Sequence, residues 1–487
     1  MKYTLLVLII QLLISQYSPG QGWNVQNSGT SATLTEVYFT TVNTGWICGN
    51  NGLLKYTTNS GSNWTSQSVN TSETLWAVYF VDNNTGWAVG NNGTIRATVN
   101  GGTNWFTQNS GTFVSLWYAH FTDAYTGWIC GSNGVILRTV NGGNDWISLN
   151  SGTSNILYSI FFSDQLNGWA AGESGTILHT SNGGTNWFVQ SGGTSLLLHC
   201  INFVNSNTGW ITGYNGKILS TTNGGTNWTD QTSNVNVFLR SCDFINSSTG
   251  WVAGDNGTIL QTSNGGMNWN LQSSTTFSSF YTICFVNSHS GWAAGENGTL
   301  KATSTGGFIY KNIQMSALIE GFYDEGLNTM TPDTAKVYIR NEISPYQLID
   351  SSKSLIDQSG TGSFDFLNVS NNVDYYLIVK HRNSLETWSS SALSFISGEL
   401  IFDFTTSSSQ SFGNNLKMKG FQWTIYSGDT DNDGFIDLND LLFVYNNASD
   451  FQSGYILSDM NGDYETDLSD VLTVYNNSVN FIHLIRP

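Results

Sequence analysis

Between residues 22 and 310 the apolar positions come in short bursts separated by small polar residues, never in long runs. One stretch shows the pattern. "LWAVYFV" (75–81) is β-rich and alternates, "GWAVG" (86–90) follows after a polar break, "TIRATV" (94–99) after "NNG", and "WFTQNS" (105–110) after "NGGTN". Runs of this length bounded by Asn and Gly read as strands. The "NG" pairs suit a tight type I′ hairpin, since Asn and Gly accept φ > 0. Each segment of this kind is therefore expected to hold four short antiparallel strands.

The pattern repeats with a fixed step. Gly-Trp recurs at Trp46, Trp87, Trp128, Trp169, Trp210, Trp251 and Trp292, every 41 residues. A Phe keeps the same step through Phe39, Phe80, Phe121, Phe162, Phe203, Phe244 and Phe285. So does the octapeptide typified by "TSNGGTNW" (180–187). Four strands repeated seven times describe the blades of a β-propeller. Stepping back once from the octapeptide tryptophans lands on Trp23 and stepping forward lands on Tyr310. The ring is thus expected to close there, with "GWNVQNS" completing the last blade. In the octapeptide, Asn182 can close an Asx turn, Gly183 and Gly184 supply left-handed backbone, and Trp187 buries a ring between blades. A catalytic residue would be needed once rather than in every blade, so the octapeptide reads as scaffold.

These residues carry a resemblance. Ser/Thr-x-Asp-x-Gly-x-x-Trp is the Asp-box of sialidases and related propellers, with Asn here in the Asp place. The combination "GW…G.NG.I..T.NGG..W" is more specifically similar to the photosystem II stability/assembly factor type of seven-bladed propeller. The resemblance covers 22–310 and speaks for fold; function does not follow from it.

Positions that vary between repeats mark a candidate binding rim. The residue opening each first strand steps through Thr35, Trp76, Trp117, Tyr158, His199, Arg240 and Tyr281. The residue before each hairpin "NG" or its equivalent steps through Asn50, Asn91, Ser132, Glu173, Tyr214, Asp255 and Glu296. Both sets should fall on one rim of the ring, and the aromatic and charged members suit a glycan or protein ligand. Packing between blades is the competing reading of Trp76, Trp117 and Tyr158. Glu173, Asp255 and Glu296 are the carboxylates a glycosidase would have to use. The propeller's three arginines, Arg96, Arg138 and Arg240, do not form the carboxylate-clamping triad that a sialidase requires, and the unchanging step leaves no room for an inserted active-site loop.

The period ends near 310. Residues 311–427 read as strands of different spacing, among them "MSALIEGFY", "AKVYIRN", "SFDFLNV" and "DYYLIVKHRN", and imply a β-sandwich. His381, Arg382 and Glu386 cluster there without a nucleophile and are assigned no chemistry. Then "DTDNDGFIDLND" (429–440) places Asp429, Asp431, Asp433, the Phe435 carbonyl, Asp437 and Asp440 at positions 1, 3, 5, 7, 9 and 12, with Gly434 at the sixth. That is the ligand spacing of a calcium loop. "DMNGDYETDLSD" (459–470) repeats it with Asp459, Asn461, Asp463, Glu465, Asp467 and Asp470, and Tyr464 in the glycine place. Each loop is followed by an apolar segment that reads as a short helix. Tandem loop-helix units with Asp at the twelfth place resemble a type I dockerin. That resemblance implies two Ca²⁺ ions and a cohesin-like partner.

Charge and the chain start sharpen the picture. The formal charge is −18, and residues 429–470 hold eleven acids and no Lys or Arg. A nucleic-acid partner is excluded by the want of clustered cations. Residues 1–21 read as a signal peptide, with Lys2 before an apolar run from Leu5 to Ile14 that is too short to span a bilayer. Five widely spaced cysteines in strands, Cys48, Cys130, Cys200, Cys242 and Cys284, read as buried thiols rather than a disulfide framework, with a bridge among Cys200, Cys242 and Cys284 on neighbouring strands as the alternative. The expected organisation is a signal peptide, a propeller over 22–310, a sandwich over 311–427 and a dockerin-like module over 428–487. The expected role is secreted, non-catalytic recognition or adhesion, docked through the tail. The alternative is a glycoside hydrolase tethered by the same tail. Photosystem assembly is a third reading, and nothing in the chain points to a thylakoid.

Overall fold

The computed structural model describes residues 22–487; the segment 1–21, expected from sequence to be a signal peptide, lies outside the described residues. The chain divides into two compact units, residues 22–308 and 309–487.

The first unit is a ring of seven four-stranded antiparallel sheets. Blade 4 is typical, with strands Leu157–Phe162, Gly168–Gly172, Ile177–Thr180 and Phe188–Val189. The hairpin between second and third strands is the expected I′ turn. In blade 2 the Thr94 amide donates to the Asn91 carbonyl at 3.0 Å, and Asn92 and Gly93 both have left-handed φ, 53° and 66°. Asn24–Val25 pairs antiparallel with Leu300–Thr303, so the N-terminal strand closes blade 7. Trp23 takes the octapeptide tryptophan's place there, edge-on to Phe285 at 5.8 Å. Tyr310 belongs to the second unit.

The repeated residues form one inter-blade joint, used seven times. Within a blade the Gly of Gly-Trp lies under the ring of the phase-locked Phe: a Cβ on Gly168 would sit 2.4 Å from the Phe162 ring. The Trp reaches the next blade and stacks on its Phe. Trp46 on Phe80, Trp210 on Phe244 and Trp292 on Phe39 lie 3.5, 3.6 and 3.5 Å apart and within 11° of parallel. Each Phe is thus held between a glycine of its own blade and a tryptophan of the preceding one. The octapeptide supplies the polar half of the joint. Thr180 Oγ1 accepts from the Gly184 amide at 3.0 Å and Asn182 Oδ1 from the Asn186 amide at 2.9 Å. The turn so held points the Gly183 carbonyl backwards, where it accepts from Trp128 Nε1 at 3.0 Å.

A second donor normally reaches the same carbonyl. Gln67 and Gln231, at the ends of their blades, donate Nε2 to Gly101 and Gly265 at 2.8 and 2.9 Å, and their Oε1 accepts from Trp105 and Trp269 Nε1. Six blades carry Gln in this place; blade 3 carries Leu149, and Trp187 Nε1 is accordingly buried without a partner. An unmade buried hydrogen bond costs about 1–3 kcal/mol.

The second unit is built on a single eight-stranded sheet folded as a sandwich-like half-barrel. Its core holds Ile313, Val337, Phe364, Leu377 and Ile425, all fully buried. Its first strand is Lys311–Ser316, earlier than the apolar run "MSALIEGFY" suggested, and it runs parallel to Glu399–Asp403. Leu348–Ile356 is a further strand, masked in the sequence by its serines. Two helices close the unit, α1 (Leu438–Ser449) and α2 (Leu468–Ser478). Val444 and Val474 pack with Ile436, Met460 and Leu385, which lies in the turn between the sheet strands Asp374–His381 and Thr387–Trp388, so the helices share a core with that end of the sheet. Among the described residues no helix is long and apolar enough to cross a membrane.

Replacing Leu149 with Gln is expected to give Trp187 its acceptor and raise the unfolding free energy by about 0.5–1.5 kcal/mol. Urea unfolding of the full chain reads the change; a lower midpoint would show that the blade 3–4 joint is built differently from the others.

Candidate functional site

The channel side of the ring is shaped by a bulge. In each first strand the register slips by one residue, between Leu75 and Ala77 in blade 2 and between Leu239 and Ser241 in blade 6. The extra residues are Thr35, Trp76, Trp117, Tyr158, His199, Arg240 and Tyr281. A bulge re-aims side chains: Leu75, Val78 and Phe80 stay in the core, while Trp76 and Tyr79 line a cavity of about 570 Å³. The whole first candidate set lines that cavity.

The set forms a connected arc. Trp76 and Trp117 rings lie 4.3 Å apart, Trp117 meets Tyr158 edge-on at 5.1 Å, and Tyr158 stacks on His199 at 5.1 Å. His199 Nδ1 donates to the Arg240 carbonyl at 2.6 Å, and the Arg240 guanidinium lies 4.6 Å over Tyr281. The second set stands behind the first and buttresses it. Trp76 Nε1 donates to Asn91 Oδ1 at 2.7 Å, Trp117 Nε1 to Ser132 Oγ at 3.0 Å, Arg240 Nε to Asp255 Oδ1 at 2.6 Å and Tyr281 to Glu296 at 3.4 Å. Glu173 accepts from the Ile156 amide at 3.2 Å, and Tyr214 rests edge-on against Phe238, half exposed. Glu173, Asp255 and Glu296 sit in different blades, each engaged locally, and none lines the cavity. The arginines do not converge: Arg96 binds the Val69 and Asn70 carbonyls, and Arg138 lies over Trp128.

Of the deeper groups only the cysteines were singled out from sequence. One residue past the bulge come Glu36, Tyr118 and Cys200, and three past it Tyr38, Tyr79, His120, Asp243 and Cys284, all lining the same cavity. Burial pushes Glu36 well above the usual carboxylate range, against a hydrogen bond from Thr282, and pushes Asp243 up to about 6. Burial lowers His120 to about 3, so it stays neutral. Cys200 and Cys242 are free thiols with sulfurs 3.4 Å apart. Variation between repeats was the available signal for the deep row. Reading its depth required knowing that a bulge shifts the strand by one.

The acidic loops differ in how their carboxylates are engaged. In the first, Asp429, Asp431 and Asp433 bring carboxylate oxygens within 4.8 Å of one another. Asp429 is buried with Oδ1 lacking any hydrogen-bond partner, and burial and then repulsion from Asp440 push it up to about 7. Gly434 has φ 89°, the left-handed turn expected at the sixth place. Those donors fit a hard divalent cation. Asp437 and Asp440 form the capping box of α1, and Asp440 Oδ1 also holds the Thr430 amide at 2.7 Å. In the second loop Asp467 and Asp470 cap α2 in the same way, and Tyr464 adopts φ 71°. Its leading acid is already neutralised. Asp459, fully buried, accepts from the Gly462 amide on Oδ1 at 2.7 Å and faces Arg382 Nη2 on Oδ2 at 3.2 Å. Asn461 Nδ2 donates to Asp463 at 2.9 Å, and Glu465 pairs by a backbone bridge with Ser453. Arg382 also bonds Asp333 at 2.9 Å and the Ile456 carbonyl, so the "KHR" cluster latches the second loop to the sheet.

The fold and cavity define a seven-bladed propeller with an aromatic, bulge-presented channel mouth. The family model described as photosynthesis system II assembly factor YCF48 matches residues 16–107, 56–150, 114–191, 149–233, 189–273 and 237–304, more than half of the chain. The chain belongs to that family. Among solved structures it is similar to YCF48 bound to D1 peptide, at 23% identity and TM-score 0.51 over 59% of this chain and 96% of that one. It is similar to YCF48 from Cyanidioschyzon merolae at 20% and 0.50, over 58% and 98%. The WD40 propeller domain of Doa1 matches at 11% and 0.51, over 58% and 97%. No curated protein matches the chain.

Asp243 gives a pH prediction. Its folded pKa lies above the ordinary value of 3.8, so between about pH 4 and 6 the folded state holds a proton that the unfolded state loses, and stability falls as pH rises through that window. Asp243→Asn is expected to flatten that fall and raise the thermal midpoint at pH 7. An unchanged pH profile would show that Asp243 is ionised in the folded protein.

Proposed function

We propose that the propeller is a non-catalytic recognition module that binds a protein segment at the channel mouth. The observation that carries this reading is the arc Trp76–Trp117–Tyr158–His199, which bulges turn out of the blade core and second-set residues hold in place. Rigid aromatics around a concave mouth offer large contact area at little entropic cost. One structure in the family holds a D1 peptide, which favours a polypeptide over a glycan as the partner class here. The hydrolase alternative is less well supported. An acid and a base need pKa values pushed apart, whereas the cavity's carboxyls, Glu36 and Asp243, both move up.

For the second unit we propose a single Ca²⁺ in the first acidic loop, held by Asp429, Asp431 and Asp433 with the Phe435 carbonyl, and a docking role for the helices. In the second loop Arg382 supplies the positive charge. The helices leave matching apolar side chains exposed, Leu438 with Leu468, Leu442 with Leu472 and Tyr445 with Tyr475, a two-fold pattern suited to a cohesin-like partner. Export by the signal peptide is part of the same reading.

Two experiments test these proposals. Linear peptides selected on the full chain from a random display library should bind at least about tenfold more weakly to Trp76→Ala and Trp117→Ala, the scale of interface hot spots. Binding that ignores both changes would move the site elsewhere, and turnover of any polysaccharide in a parallel screen would overturn the non-catalytic reading. Equilibrium dialysis of the full chain should find one calcium, lost in Asp431→Asn/Asp433→Asn, with capture on immobilised cohesins lost in excess chelator. Two ions would return the second loop to the ligand set.

A further inference from the structure

The channel below the mouth carries acceptors without matching cations. Glu36 and Asp243 line the cavity, and their hydrogen bonds come from neutral donors: Thr282 Oγ1 to Glu36 at 2.8 Å and the Phe285 amide to Asp243 at 2.6 Å. Burial holds Glu36 up, and the charge of Asp243 adds a smaller push in the same direction. Among the described residues the only Lys or Arg on the lining is Arg240, at the mouth, and its Nε is engaged by Asp255. A separate observation concerns His120. This lining side chain is 8% exposed and its Nδ1 has no hydrogen-bond partner. Tyr79 and Tyr118 contribute aromatic wall beside these groups. Buried carboxyls without a cation are costly, and a flat cation with several N–H donors relieves that cost while stacking on rings.

Building on the partner-binding reading of the mouth, we propose that the channel receives a guanidinium-bearing side chain, an arginine of the bound segment. Its N–H groups bond Glu36 and Asp243 and offer a donor toward His120, and its plane rests on the tyrosines. The aromatic arc holds the flanking backbone, so the mouth supplies contact area and the channel supplies selection by charge.

Calorimetry on the full chain tests this with agmatine, with the blocked peptide Ac-Gly-Ser-Arg-Ser-Gly-NH₂ and with its citrulline counterpart, which keeps shape but not charge. Agmatine and the arginine peptide should bind saturably, and citrulline should weaken the peptide by about tenfold or more. Glu36→Gln and Asp243→Asn, which remove the ionisable carboxyl with little change in size, should each weaken agmatine to a similar degree while the chain stays folded by circular dichroism. Equal binding of the citrulline peptide, indifference to both variants, or a preference for an acidic peptide would overturn the proposal. If agmatine fails while library peptides still depend on Trp76 and Trp117, the channel assignment falls and the mouth remains the partner site.

Discussion

The ring depends on one repeated contact: a phenylalanine pressed between a glycine of its own blade and a tryptophan of the blade before. The glycine is required because any Cβ would enter the ring. The tryptophan fits because its indole covers the phenylalanine face while its Nε1 reaches a turn carbonyl of the next blade. Apolar burial and a directional hydrogen bond are thus satisfied by the same side chain. A propeller has no continuous core; its stability is the sum of such joints, closed on themselves by the N-terminal strand. Blade 3 tolerates Leu149 because losing one polar contact leaves the stacked rings of that joint intact.

That division of labour frees the channel side. Core contacts are made by the residues on either side of each bulge, so the bulged residue and those aligned with it carry no common packing duty. They have become tryptophan, tyrosine, histidine, arginine or carboxylate from blade to blade. The arc at the mouth and the acidic channel beneath it follow from this release, on a frame that does not change.

The second unit shows the same principle with two copies in place of seven. Both acidic loops cap a helix through an Asp pair, and Val444 and Val474 share one core. The sheet touches the copies differently. Arg382 reaches Asp459 of the second loop, while the first loop keeps Asp429 with an unpartnered oxygen. Equal spacing in the chain therefore ends in unequal electrostatics.

Blade number, strand order, the I′ hairpins and the strand that closes the ring were all legible in the sequence, because each rests on local chemistry repeated at fixed phase: Gly and Asn where φ is positive, Phe and Gly-Trp where rings must meet. The residues of the mouth were legible as positions that vary. The acidic loops were legible by ligand spacing. What only the tertiary structure decided was orientation and company. A one-residue bulge, invisible in composition, sends Trp76 and its equivalents inward and brings Glu36, His120 and Asp243 from separate blades into one cavity. Likewise an arginine 77 residues before Asp459 reaches that carboxylate only because the sheet and the loop fold into one unit. Short-range preferences act through neighbours in the chain; the environment of a charge is set by groups that only folding brings near.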